Sequence, residues 1–359
     1  MEWKASKRFR NPFKPLNLTL EAASELEKLA EVFVSESIRT YEHFLLEENS
    51  QIDDNRWKFM YQKDNVKSYA ERAGFTVPEP GTEHYHRPRS HSSTTSELPI
   101  VLVTGTIEGE LDDTIYGVAC PTLDTMRIKT SYIQDTMYRA CVLASLVKPS
   151  AEDPFRSVSI KWVEKGQPFH VRAVIKNRDF VYMESTGTRY LRNGERVGYQ
   201  LVHSVQFPET PPRESAIRGN MSMSAIYRQK DSNIVDVFIK GFLNPAGGLT
   251  RSIITHEEVG MEYPTALSND GKAGASKLCN LHDYVCSPCR IQKKLHFMMA
   301  DRKMLEQEVA FCPHCYWKAL HAKALTVARQ ELLFNDVYGW NEVCAYTSGT
   351  EISLFDDLN

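Results

Sequence analysis

The sequence predicts an α+β protein in which a curved antiparallel sheet surrounds a helix, followed by a small zinc-binding module with a C-terminal helix. Three observations carry this. Residues 18–46 place Leu18, Ala22, Leu26, Leu29, Phe33 and Tyr41 near a 3.6-residue period, the mark of an amphipathic helix. Between 138 and 243, short runs rich in β-branched and aromatic residues alternate with turn residues, the mark of an antiparallel meander. Five of the eight cysteines fall between Cys279 and Cys315, four of them as the C-x2-C pairs Cys286/Cys289 and Cys312/Cys315.

The elements follow in order. Residues 1–17 form a tail whose Lys4, Lys7, Arg8, Arg10 and Lys14 read as a solvated basic segment. Helix 18–46 has Thr19 available as its cap. Trp57 to Tyr61 and Val66 to Ala70 form a hairpin across the turn-like Lys63-Asp64-Asn65. Residues 76–98 shift to Pro, Ser, Thr and His, too polar to order themselves, and read as a disordered insertion with solvated His84, His86 and His91. Ile100 to Ile107 is a strand, and helical or mixed sequence continues to Asp135. The meander then comprises Tyr138–Leu146, Ser157–Val163, Asp179–Ser185, Val197–Phe207, Met221–Tyr227 and Ile234–Leu243. Arg192 to Glu195 and Lys230 to Asn233 supply two of its turns. Asn244-Pro245-Ala246-Gly247-Gly248 stops the last strand, and residues 249–258 restart as a helix.

Composition narrows the function. A length of 359 residues, 42% hydrophobic and 25% charged, is ordinary for a globular chain. A net charge of -3 and a pI near 6.4 give no basic field of the kind nucleic-acid binders use. No apolar run resembles a signal peptide or a spanning helix, so the expectation is a cytoplasmic protein, at most peripheral to membranes. In a reducing compartment clustered cysteines favour metal over disulfides, and Cys120, Cys141 and Cys344 read as packed residues. Catalytic signatures are missing: His256-Glu257-Glu258-Val259-Gly260 has Gly where a zinc protease needs its second His, and there is no P-loop or nucleophile elbow. The chain is therefore read as a binding protein rather than an enzyme.

Alternation groups Val158, Ile160 and Trp162 on one side of their strand. It does the same for Leu201, His203 and Val205, for Met221, Met223, Ala225 and Tyr227, and for Val235, Val237 and Ile239. With the long N-terminal helix outside, a concave sheet has more apolar surface than one helix covers, leaving a cavity. Met221 and Met223 are its pliable walls, and Arg172, His203 and Tyr227 its polar handles. Trp162 and Tyr182 complete the ligand-binding candidates.

The runs Phe155 to Trp162, Arg178 to Ser185, Tyr199 to Phe207 and Arg218 to Tyr227 occur in the order seen in START lipid-binding domains, which residues 18–260 resemble. The resemblance implies a helix-grip fold holding one hydrophobic ligand, a sterol, phospholipid or sphingolipid, under a C-terminal lid helix, here Gly248 to Val259. Residues 261–335 resemble a degenerate FYVE-type zinc finger, with 336–359 as a tail. The third and fourth ligand pairs of that pattern match Cys286/Cys289 and Cys312/Cys315, and the helix after the last pair matches Tyr316 to Phe334. The first pair is missing, Cys279 and His282 stand for the second, and the basic phosphoinositide motif before Cys279 is replaced by Gly271 to Leu278.

Two ligand sets fit one structural zinc: Cys286, Cys289, Cys312 and Cys315, or the cross-brace set Cys279, His282, Cys312 and Cys315. A finger that has lost its metal is the third reading. Lys293-Lys294, followed by His296, Phe297, Met298 and Met299, reads as a solvated loop of the finger, with contact to an acidic membrane as the alternative. A non-catalytic adaptor with a filled core is the rival function.

Overall fold

The computed structural model describes residues 11–72, 100–132, 137–166, 176–246, 290–298 and 304–338. The chain opens with α1 (Leu20–Leu46), whose N-cap Thr19 accepts the Ala22 backbone N–H at 3.1 Å. Strands β1 (Trp57–Lys63), β2 (Val66–Glu71) and β3 (Val101–Glu108) precede two short helices, α2 (Leu111–Val118) and α3 (Leu123–Tyr132). Then come β4 (Met137–Val147), β5 (Ser157–Lys165), β6 (Asn177–Tyr190), β7 (Arg196–Ser204), β8 (Ala216–Arg218), β9 (Asn220–Asp231) and β10 (Ile234–Asn244). A hairpin, β11 (Ile291–Met298) and β12 (Met304–Phe311), leads into α4 (Pro313–Leu320) and α5 (Ala324–Tyr338).

The first ten strands form one sheet of order β1-β2-β3-β10-β9-β7-β6-β5-β4, antiparallel except where β8 runs parallel to β6. The predicted strands all appear, with Asp64 and Asn233 in left-handed conformation at φ 51° and 61° in two of the predicted turns. The edge strand β1 carries a register shift between Phe59 and Tyr61, which interrupts the row of unpaired backbone groups along that edge.

The sheet is covered on both faces. On one, α1 buries Ala30, Phe33, Val34, Tyr41 and Phe44, one stripe of the helix, against Val158, Ile160, Val181, Met183, Tyr199, Leu201, Ile226 and Phe238. Carboxylates along α1 fix its position: Glu27 pairs with Arg156 at 3.0 Å, Glu31 with Arg189 at 2.6 Å, and Glu42 accepts the Arg192 backbone N–H at 2.7 Å. Residues before α1 share this face, with Phe13 edge-on to Trp162 at 5.5 Å, while Lys14 is exposed.

On the other face lie α2 and α3. Ile115 of α2 is fully buried and sits so close to β7 that a Cβ on Gly198 would stand 2.4 Å from its Cγ1. The side chain of Gln229 anchors the start of α2, accepting the Leu111 N–H at 2.7 Å. Met126 is the one fully buried side chain of α3, packed with Ala140, Val163, Phe180 and Tyr182. Outside α2 lies α5, through Ala324, Val327 and Ala328.

Two sequence expectations are corrected and one strand is added. Where a loop was expected from Lys293 onward, residues 291–298 pair with 304–311: Lys294 sits in β11 and pairs with Glu306 at 3.1 Å, Lys293 lies over the Tyr316 ring, and Met299 lies outside the described residues. The hairpin sequence carries no clean alternation because a two-stranded ribbon buries only Leu295 and Phe311 fully. The single helix expected over 316–334 is two, broken at His321–Lys323. Strand β8 was not anticipated, because three residues carry no measurable period. Residues 76–98, the lid candidate 248–259, and the helix expected over 249–258 lie outside the described residues, as does Cys344. Cys141 is buried and Cys120 half-buried, as expected of packed residues.

Candidate functional site

The strand register divides the predicted cavity residues between the two faces. His203 lies opposite Met183, and Trp162 opposite Val181, all against α1. Met223 lies opposite Val202, on the α2 and α3 side, and Met221, Tyr182 and Tyr227 share that side. Trp162 and His203 therefore do not line a common pocket with the other four. Alternation fixes which residues share a side of one strand, but only the register fixes which sides of neighbouring strands coincide. Arg172 lies outside the described residues.

On the α1 face both residues are satisfied structurally. The Trp162 indole N–H donates to Asp179 Oδ2 at 2.8 Å, and Arg218 grips the same carboxylate with donors at 3.1 and 2.9 Å. His203 stacks on Phe33 with ring centroids 4.3 Å apart, and its Nδ1 is 2.9 Å from Ser222 Oγ. Burial holds the His203 imidazole below its ordinary 6.5. The unfolded chain therefore takes up this proton at a higher pH than the folded one, so the stability His203 confers is full above pH 6.5 and shrinks below it. The difference in Tm between the wild type and His203→Leu is expected to narrow as thermal unfolding is followed down from pH 7 to pH 5; a constant difference would reject this assignment.

The α2 and α3 face carries the less expected arrangement. Lys161 of β5 and Glu184 of β6 are 0% and 5% exposed and form an ion pair among apolar neighbours. The Lys161 ammonium also donates to the Cys120 carbonyl at 2.6 Å, and Gln200 of β7 donates to Glu184 Oε1 at 2.8 Å. Ser159 completes this polar row, its buried hydroxyl without a hydrogen-bond partner among the described residues. Burial pushes the Lys161 ammonium down to about 8. One side of the row holds Val163, Phe180, Tyr182, Val202 and Met221; the other holds Val103, Ala225, Tyr227, Val237 and Ile239.

The end of α2 closes over the row. Lys129 of α3 donates to the Tyr116 and Ala119 carbonyls and lies over the Tyr116 ring, and Lys161 takes the next carbonyl, Cys120. Helix-terminal carbonyls that lack intrahelical partners thus meet ammonium groups. Sequence reasoning missed this site. The signal was a lone Lys in the apolar run Ser157 to Val163 and a lone Glu in Phe180 to Ser185, opposite charges on strands adjacent in order.

In the C-terminal module Cys312 caps α4, its Sγ accepting the Cys315 N–H at 3.3 Å, with Pro313 at the first helical position. Hydrogen bonding from Cys315, its backbone N–H first, holds the Cys312 thiol below its ordinary value. The register pairs Ile291 with Phe311, so the chain enters the hairpin beside the residue that precedes Cys312. Cys279, His282, Cys286 and Cys289 lie outside the described residues. Among the described residues no three His, Cys, Asp or Glu side chains converge, and no helix is long and apolar enough to cross a membrane.

The chain resembles several solved structures at low identity. Human StAR-related lipid transfer protein 5 is 12% identical over 66% of this chain and 88% of its own, with a TM-score of 0.40. Human STARD10 is 12% identical over 60% and 70%, with a TM-score of 0.38. A STAR-related lipid transfer protein fragment from Xanthomonas axonopodis is 14% identical over 56% and 88%, with a TM-score of 0.37. No protein-family model matches the chain, and no curated protein does.

Proposed function

We propose that this is a START-like, helix-grip lipid-binding protein. In this reading the α2 and α3 face of the sheet receives one sterol, phospholipid or sphingolipid molecule, and the Lys161–Glu184–Gln200 row receives its polar group. The observation that carries it is the buried ion pair set in an apolar sheet face. Such pairs do not stabilise folds more than packed apolar residues would, so one retained between two apolar clusters suits the recognition of a polar group on an otherwise apolar molecule. Met221 and Met223 are half-buried and conformationally adaptable, and Tyr182 and Tyr227 carry hydroxyls on the same face. Arg172 remains a proposed handle. Release of apolar ligand surface from water, worth roughly 25 cal/mol per Å2, is sufficient to drive binding without a reaction. Its setting is the cytoplasm, with lipid exchanged at membrane surfaces.

The experiment is native mass spectrometry of protein purified without detergent and then incubated with mixed vesicles of phosphatidylcholine, cholesterol and ceramide. One bound lipid per chain is expected. A chain that stays empty supports the adaptor with a filled core instead.

The C-terminal module is proposed to hold one structural zinc on Cys286, Cys289, Cys312 and Cys315, as in a degenerate FYVE-type finger, with Cys279 and His282 as the alternative pair. The donors at hand fit: two thiols presented by one helix turn, one of them already biased toward thiolate, at the end of a hairpin whose other strand follows Cys289 closely. Four protein ligands leave no open position, so the ion would hold the hairpin to α4 without reactive chemistry. One zinc per chain is expected by elemental analysis, halved or lower in Cys312→Ser. Cys286→Ser and Cys279→Ser distinguish the two sets, and a metal-free wild type rejects both.

A further inference from the structure

The two short helices over the polar row are themselves covered from outside, by the C-terminal module. Over α2 lies α5, where the Tyr116 hydroxyl donates to Glu331 Oε1 at 2.6 Å and Val327 and Ala328 pack in the same cluster as Leu111 and Ile115. Arg329 ties α5 to the loop before β5 by donating to the Ala151 carbonyl at 2.9 Å. The hairpin lies over α3. The His296 N–H donates to the Tyr132 hydroxyl at 3.2 Å, the two rings meet edge-on at 4.8 Å, and Arg127 donates to Met298 Sδ at 3.7 Å.

The two helices differ in how firmly the sheet holds them. Helix α2 is seated by buried Leu111, Thr114, Ile115, Tyr116 and Gly117, by Gln229, and by an Asp112–Arg196 ion pair. Helix α3 buries only Met126 fully, and polar side chains occupy most of its length. It is the weak point in the cover, and local opening draws on such segments. The connection between α2 and α3 carries Cys120, whose carbonyl rests on Lys161.

From this arrangement we infer that the C-terminal module is a latch: its hairpin holds α3 closed over the Lys161–Glu184 row, and a ligand reaches that row when the contacts of Tyr132 and Arg127 with β11 release. The inference rests on the lipid-binding reading for what passes the latch, but not for the latch itself. None of the latch contacts touches the row, so loosening them is expected to speed uptake and release together and to leave the amount bound at equilibrium unchanged.

The test uses the full chain and the double variant Arg127→Ala/Tyr132→Ala. Two readouts are followed: hydrogen exchange of the α3 amides, and uptake of fluorophore-labelled phosphatidylcholine from phosphatidylcholine vesicles. Losing two such contacts is expected to accelerate both by roughly fivefold or more. Should the double variant fail to fold, Tyr132→Phe removes the acceptor of the His296 N–H while keeping the ring, with an expected acceleration of about two- to threefold.

Unchanged α3 exchange overturns the latch. So does faster exchange with unchanged uptake in a protein that takes up lipid, or a change in the equilibrium amount bound. A wild type that takes up no lipid sinks the lipid reading instead, and the latch is then decided by α3 exchange alone.

Discussion

Lys161→Met is expected to lower the unfolding free energy by about 3–5 kcal/mol, read from urea denaturation. Methionine matches the lysine stem in length, so little packing is lost. What remains is the Glu184 carboxylate, 5% exposed and deprived of its cation, and breaking one side of a buried pair carries a penalty of that size. Gln200 still donates to Glu184 Oε1, which offsets only part of it. The double variant Lys161→Met/Glu184→Leu removes both charges and is expected to recover most of the loss. It then separates structure from recognition: a stable double variant that binds the same lipids as the wild type would show that the pair serves packing alone. A stable one that no longer discriminates between head groups supports the proposed role.

Asp179→Ala is expected to cost about as much, roughly 3–5 kcal/mol, and to leave ligand selection unchanged. Asp179 is fully buried, and three donors converge on it, two from Arg218 and one from the Trp162 indole. Its removal takes the counter-charge from Arg218, which keeps its bonds to the Thr210 and Pro211 carbonyls, and the carboxylate acceptor from the buried Trp162 N–H. It also loosens β8, whose parallel pairing with β6 ends at this residue, opposite Arg218. Because Asp179 and Trp162 face α1, lipid selectivity measured on the variant under folding conditions is expected to match the wild type. Altered selectivity would place Trp162 back among the ligand contacts.

Apart from β8, the strands between Trp57–Lys63 and Ile234–Asn244 were legible from their β-branched and aromatic runs and the turn residues between them. Helix α1 was legible from its stripe and its Thr19 cap. The faces were not. His203 and Met223 each sit correctly within their own strand's alternation, yet the β7–β9 register sends them to opposite sides of the sheet. Register depends on turn geometry and on partners distant in sequence, and alternation within one strand contains neither. Lys161 and Glu184 were hidden for a related reason. Each alone looks like a solvated residue on the polar side of a strand, and only pairing β5 with β6 and seating α2 above them turns that side into an interior. The Cys312/Cys315 pair was visible in the sequence, but the helix beside it was expected from Tyr316 and starts at Pro313, a residue suited to the first helical position.

The strand order also has a consequence for synthesis. Among the described residues, strands β1, β2 and β3 join the rest of the sheet through β10 alone, where Val103 pairs with Ile239. At about 5–20 residues per second, β3 therefore waits on the order of ten seconds for its partner to be made. Through that interval the β3 edge stays open, and Val101, Val103 and Ile107 lack the strand and helices that later cover them. The nascent chain is thus most vulnerable to misassociation before Asn244 emerges, and its yield in cells is expected to depend on holding chaperones more steeply than the stability of the finished sheet would suggest.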